Sequence, residues 1–298
     1  MGLDVIQAGG TVSWIMELVH RGLIPTADFG LPPASEMRFD FASDPGAFDL
    51  EMDSRRNADY AYQVVYMMLF DERGAPFRQG IRTAAQTLDV RYGLTRPGER
   101  TIDRAVLTAH GKQGCMTPNQ YWVPGMFSPM PMMGKYFVYY GVDFLPPREL
   151  GRKCVERMVY ELFSENSGVC RFHRKWAEAI VDEIISSHYQ FGVDYKAHQF
   201  ELARQIYRHD VGNVMPWEGE RTIDVIWQYL EKWDRFGLDN DDLRQWMTRF
   251  RADKWAAAQA YWEEIRAGIG EAFEAGAEAI PETMSPYQAA KMDVMEKR

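Results

Sequence analysis

The sequence predicts a mainly α-helical protein. Three observations carry that reading. Apolar residues recur at helical spacing over long segments, strand-like alternation is scarce, and from Pro147 onward one helical pattern follows another. Thr11 to Leu23 sets Val12, Ile15, Met16 and Val19 at i, i+3, i+4 and i+7, a helix closed before Pro25. Residues 30–55, with Pro32-Pro33 and Pro45-Gly46, read as a loop. Helices follow from about Asn57 to Phe70 and from about Arg78 to Val90, the second stopping before Gly93 and Pro97.

Residues 111–147 break the pattern. Pro118, Pro124, Pro129 and Pro131 exclude a long helix. Met116, Met126, Met130, Met132 and Met133 alternate there with Tyr, Trp and Phe, too apolar a mixture for a disordered segment. The stretch reads as an ordered loop packed at a pocket, and plain core packing would use the same residues. Further helices are predicted at 148–164, 171–190, 195–209, 220–236, 239–250 and 252–275, ahead of a polar tail from Pro281 to Arg298. The domain reading is 1–110 for one helical part and 111–298 for a second, with the Met/aromatic loop at 111–147.

Composition narrows function. The 298 residues are 46% hydrophobic and 26% charged, ordinary for a soluble globular protein. Lys and Arg total 34 against 43 Asp and Glu, a net charge of −9, which excludes a general nucleic-acid binder. No apolar stretch approaches the ~20 residues of a membrane-spanning helix, and the acidic start Met1-Gly2-Leu3-Asp4 does not fit a signal peptide. Three cysteines cannot all pair with one another, so a reducing, cytoplasmic location is expected. The 17 Met, 9 Trp, 15 Tyr and 16 Phe suit irregular cores and pockets.

The sharpest local feature is Glu165-Asn166-Ser167-Gly168-Val169-Cys170-Arg171-Phe172-His173-Arg174-Lys175. One helix is predicted to end near Ser164 and another to start after Cys170, which puts Cys170 where a helix dipole favours the thiolate. Gly168 lets the backbone approach something bulky. Cations in a first helical turn break the electrostatic rule for helix starts, and a bound anion or metal cluster would explain them. An inert buried thiol beside a solvated basic face accounts for the same residues. Cys154, on the face of Val155, Met158 and Leu162, reads as a core cysteine. His110, Lys112 and Cys115 form either a structural turn or a site where His110 handles a proton. His20, His188, His198 and His209 read as ordinary helix histidines. There is no CxxC pair, HExxH, Walker loop, GxGxxG after a strand or GxSxG elbow.

Two distant stretches resemble the aldehyde ferredoxin oxidoreductase family. Gly2 to Thr11, then Trp14-Ile15-Met16-Glu17-Leu18 and Gly22-Leu23-Ile24, is similar to a GLD-x-I-S-x-G-x-T segment followed by a helix ending in MEL. Glu165 to Phe172 is similar to the family's D-x-x-G-L-C motif, and Gly80 to Leu88 fits the helix between them. The resemblance implies a tungsten or molybdenum bis-pterin beside a [4Fe–4S] cluster. By position, Cys170 would be a cluster ligand. Glu165, Asn166, Gly168, Val169 and Arg171 would lie against one pterin and its charges, and Gly2, Leu3 and Asp4 against the other. Thiolate ligation suits such clusters.

This sequence departs from the family pattern in ways that set further expectations. Neither Cys115 nor Cys154 stands where the other cluster ligands belong, and the family's N-terminal pterin-base domain has no counterpart. The chain therefore reads as the C-terminal part of a longer or split enzyme, inactive alone, with Met1 an internal methionine. Its expected partners are the missing N-terminal half and a ferredoxin or electron-transfer subunit. Gly111 to Trp122 replaces the stretch usual in aldehyde oxidisers and is similar to tungsten subunits of ATP-independent benzoyl-CoA reductases. The substrate expectation is divided between an aldehyde and an aryl-CoA, with His110 handling the proton. The rival is a non-catalytic helical binding or assembly module.

Overall fold

The structure is a computed structural model that describes residues 5–39, 46–105, 108–110, 114–116, 143–166, 168, 195–211 and 220–280. The expected helical class is what it shows: nine α-helices among the described residues, with one pair of short strands. The chain divides into two compact units. Among the described residues, unit 1 holds 5–39, 46–105 and 220–222, and unit 2 holds 143–166, 195–211 and 223–280.

Unit 1 is built around α1 (Val5–His20). It starts ahead of the expected Thr11 and runs through Gly9-Gly10. Each glycine costs a helix about 1 kcal/mol, and burial of Trp14, Ile15 and Leu18 outweighs that. Gly22, at φ 69°, ends the helix: its N–H donates to the Val19 carbonyl and the Leu23 N–H to that of Leu18. The expected loop at 30–55 supplies core residues Leu31, Met37 and Phe39. Helix α2 (Met52–Phe70) begins earlier than Asn57 because Asp49 Oδ1 accepts from the Glu51 and Met52 N–H groups. The helix expected from Arg78 is two: α3 (Ala75–Arg78) and α4 (Ile81–Tyr92), separated at Gly80. Trp14 Nε1 donates to the Thr101 carbonyl at 2.8 Å, and Thr101 is in turn held by Asp89 Oδ1 at 2.7 Å.

Strands β1 (Thr108–His110) and β2 (Gly114–Met116) pair with each other. Of the predicted features, most of the 111–147 loop, the 171–190 helix and the tail from Pro281 lie outside the described residues.

Unit 2 contains α5 (Pro147–Asn166), α6 (Tyr195–Val211), all of α7 (Glu220–Arg235) beyond its first turn, α8 (Asp241–Ala252) and α9 (Lys254–Ala275). Helices α5 and α9 cross in backbone contact. A β-carbon at Gly268 would lie 1.8 Å from the Arg148 carbonyl oxygen, and one at Gly151 would lie 2.1 Å from that of Ile265. Ion pairs flank the crossing, Arg148 with Glu264 at 2.8 Å and Arg152 with Glu271. Asp253 ends α8 in an extended conformation and caps α9 by accepting from the Trp255 and Ala256 N–H groups.

Candidate functional site

The described part of the candidate site is the C-terminal end of α5. The helix is fixed along its length by Cys154, Val155, Met158, Val159 and Leu162, all buried. It continues past the predicted end near Ser164, so Glu165 and Asn166 are its last two residues rather than the start of a loop. Asn166 Nδ2 donates to Gln199 Oε1 at 2.9 Å. Gln199 is buried on α6, so this bond satisfies a polar group that burial would otherwise penalise. Nearby on α6, Lys196 Nζ donates to the Ile280 carbonyl, holding the start of α6 to the chain beyond α9.

Gly168 follows at φ 71°, exposed. Among the described residues, a β-carbon there would meet nothing within 4 Å. The expected reason for this glycine was close approach to a bulky group. The left-handed backbone is a second, independent requirement for glycine here, since side-chain-bearing residues adopt it at a cost.

Other predicted residues are placed unevenly. Gly2, Leu3, Asp4, Val169, Cys170 and Arg171 lie outside the described residues, as do the side chains of Glu165 and His110. His110 closes β1 and Cys115 is the middle residue of β2, so the segment read as a turn has strands on either side of it. Among the described residues the structure brings Asn166 together with Gln199. Sequence reasoning missed Gln199, though a signal was available: it shares a helical face with buried Ala203. Of the four histidines read as ordinary, His198 is exposed and His20 stacks edge-on against Phe39 at 5.2 Å.

Cys154 is the core residue it was expected to be. Its thiol is fully buried, and desolvation pushes its pKa well above the usual range, with the Glu156 charge adding to the shift. A thiol held protonated is neither ligand nor nucleophile at neutral pH. Two of the three cysteines remain for chemistry. A four-thiolate cluster therefore does not fit this chain's own donor set. Among the described residues, no three His, Cys, Asp or Glu side chains are grouped to hold a metal. No described helix is long and apolar enough to cross a membrane.

The chain is similar to the glyceraldehyde-3-phosphate:ferredoxin oxidoreductase of Pyrococcus furiosus, 31% identical over 273 residues. The match takes in 89% of this chain and 40% of that protein. It is also 30% identical over 235 residues to an uncharacterized protein of Methanocaldococcus jannaschii, covering 76% of this chain and 37% of the relative. The chain thus spans well under half the length of these curated relatives. No protein-family model matches the chain. No solved structure matches it.

Proposed function

We propose, from the membership of the aldehyde ferredoxin oxidoreductase family that this similarity supports, that the chain is one part of a ferredoxin-linked oxidoreductase. The observation that carries the reading is 31% identity sustained over 89% of the chain to a ferredoxin oxidoreductase. The reaction is oxidation of an aldehyde by water to a carboxylate, with two electrons leaving to ferredoxin. The named relative favours an aldehyde substrate. The aryl-CoA alternative draws on the 111–147 loop and becomes an arm of the test.

Cys170 is proposed as the cluster thiolate, and Glu165, Asn166, Gly168, Val169 and Arg171 as the wall of one pterin site. Gly2, Leu3 and Asp4 are proposed for the other, with tungsten or molybdenum as the metal. The bonded pair Asn166–Gln199 then steadies the end of the helix that delivers this wall. His110 is proposed to hold the proton exchanged with substrate. The remaining cluster thiolates come from a missing N-terminal half or a split partner chain, equivalent to the part of the relatives that this chain does not match. The assembly works in the cytoplasm and has no nucleic-acid partner.

The test is anaerobic purification of the protein from its native host with everything that accompanies it. Metal analysis should find tungsten or molybdenum with iron, and an aldehyde should reduce a viologen dye. Cys170→Ala should remove iron and the cluster's visible absorption. Ring reduction of benzoyl-CoA without aldehyde oxidation would move the substrate to the aryl-CoA class. An assembly free of all three metals would overturn the reading in favour of a non-catalytic helical module.

A further inference from the structure

Gln199 is a polar side chain in an apolar setting. It is 4% exposed on α6, where it precedes buried Phe200 and shares a face with buried Ala203. Methionine would fill nearly the same volume without burying an amide. Its neighbours hold this turn of α6 in place: Phe200 stacks edge-on against Phe273 of α9 at 5.4 Å, and Lys196 is tied to the Ile280 carbonyl. Among the described residues its side chain makes one hydrogen bond, the one donated by Asn166, which stands exposed at the end of α5.

A carboxamide offers one carbonyl acceptor and an NH₂ donor, and an exposed one turns between them. The bond to Gln199 removes that freedom. Asn166 Nδ2 is held on Gln199 Oε1 at 2.9 Å, which leaves Asn166 Oδ1 as an acceptor with no partner among the described residues. The end of a helix adds acceptors of its own, because its last carbonyls carry partial negative charge. Such an end suits the N–H donors of a ligand and repels its phosphates. A pterin ring has those donors on its amino and lactam groups, so it fits this end of α5.

We propose that Gln199 is a positioning residue, which fixes Asn166 so that Oδ1 accepts from an N–H of the bound pterin. This rests on the oxidoreductase reading above and adds a residue that works through Asn166. The bond is held by a side chain already immobilised in the core, so little ordering remains to be done when the ligand arrives.

The test uses the anaerobically purified assembly, with each variant introduced in the native host. It follows release of pterin on warming, by the fluorescence of the oxidised ring, beside thermal melts of the protein. Gln199→Met should speed release about 2–10-fold, the worth of one hydrogen bond, and leave the melt unchanged. Asn166→Ala should speed release to the same extent and lower the melting temperature, because it strands a buried amide. The double variant should release no faster than Asn166→Ala alone, since Gln199 acts through that residue. Gln199→Glu keeps an acceptor for Asn166 Nδ2 and should return release to the parent rate. A loaded assembly in which Gln199→Met releases pterin at the parent rate overturns the proposal alone. So do additive effects in the double variant, or a Gln199→Glu protein that melts like the parent yet releases as fast as Gln199→Met. A parent assembly without pterin overturns the oxidoreductase reading, and this proposal with it.

Discussion

Tyr261 brings its hydroxyl into the interior of unit 2, where no hydrogen-bond partner among the described residues meets it. Desolvation pushes its pKa well above the ordinary range, so the group stays neutral, and the cost is that of an unpaired hydroxyl. Its ring stacks edge-on against Trp246 at 5.0 Å and Phe250 at 6.3 Å, contacts that phenylalanine would keep. Tyr261→Phe should therefore leave stability unchanged or raise it by up to about 1 kcal/mol, read by urea unfolding. A loss above about 1 kcal/mol would show that the hydroxyl has a partner. At this scale the sequence was informative about Cys154, whose apolar neighbours at i+1, i+4 and i+8 mark a core face. It was silent on Tyr261, because neither burial nor a missing partner for one hydroxyl leaves a periodic trace.

At the scale of elements, existence was legible and boundaries were less so. The helices predicted from Pro147 onward that fall among the described residues all appear, since each carries an apolar stripe at 3.6-residue spacing. The ends moved where side chains or burial intervened: Asp49 extends α2 backwards, and burial of Trp14 and Leu18 carries α1 across two glycines. The α5–α9 crossing was illegible, because a glycine that admits a neighbouring helix looks in sequence like any other. Two glycines on α9 separate the cases. A β-carbon at Gly268 collides with the Arg148 carbonyl, whereas one at Gly270 meets nothing within 4 Å. Gly268→Ala should destabilise by about 3 kcal/mol or more, since only backbone movement relieves the clash. Gly270→Ala should stabilise by roughly 0.5–1 kcal/mol through helix propensity. Thermal melts of the two variants should shift in opposite directions, and a common direction would refute this crossing.

At the scale of the molecule, contacts between distant parts of the chain were the least legible. Glu17 is buried on α1 and pairs with Arg21 one turn on and with Arg221, 204 residues later. Helical spacing foretells the first partner, but no local pattern encodes the second. This pair fastens the first turn of α7 to unit 1, so its removal is felt as loss of closure between remote segments. Glu17→Ala leaves two arginines without their countercharge and should cost roughly 3 kcal/mol. Arg221→Ala leaves Glu17 with Arg21 and should cost about 1–2 kcal/mol. The double variant should fall short of the sum by about 1 kcal/mol, and strict additivity would show the two residues to be uncoupled. The candidate site divides the same way. Its motif could be read along the chain, whereas the Asn166–Gln199 bond joins residues 33 positions apart and belongs to folded space.

The contact of α5 with α9 also determines which sequences this protein can become. Positions 151 and 268 each lack room for a single carbon, so a library randomised at both should return glycine alone among stably folded members. Position 270 should accept many residues. Proteolytic survival of such a library would report correct helix pairing without knowledge of metal, substrate or partner. Homologues could be sorted by the same two letters into those that share this crossing and those that have replaced it.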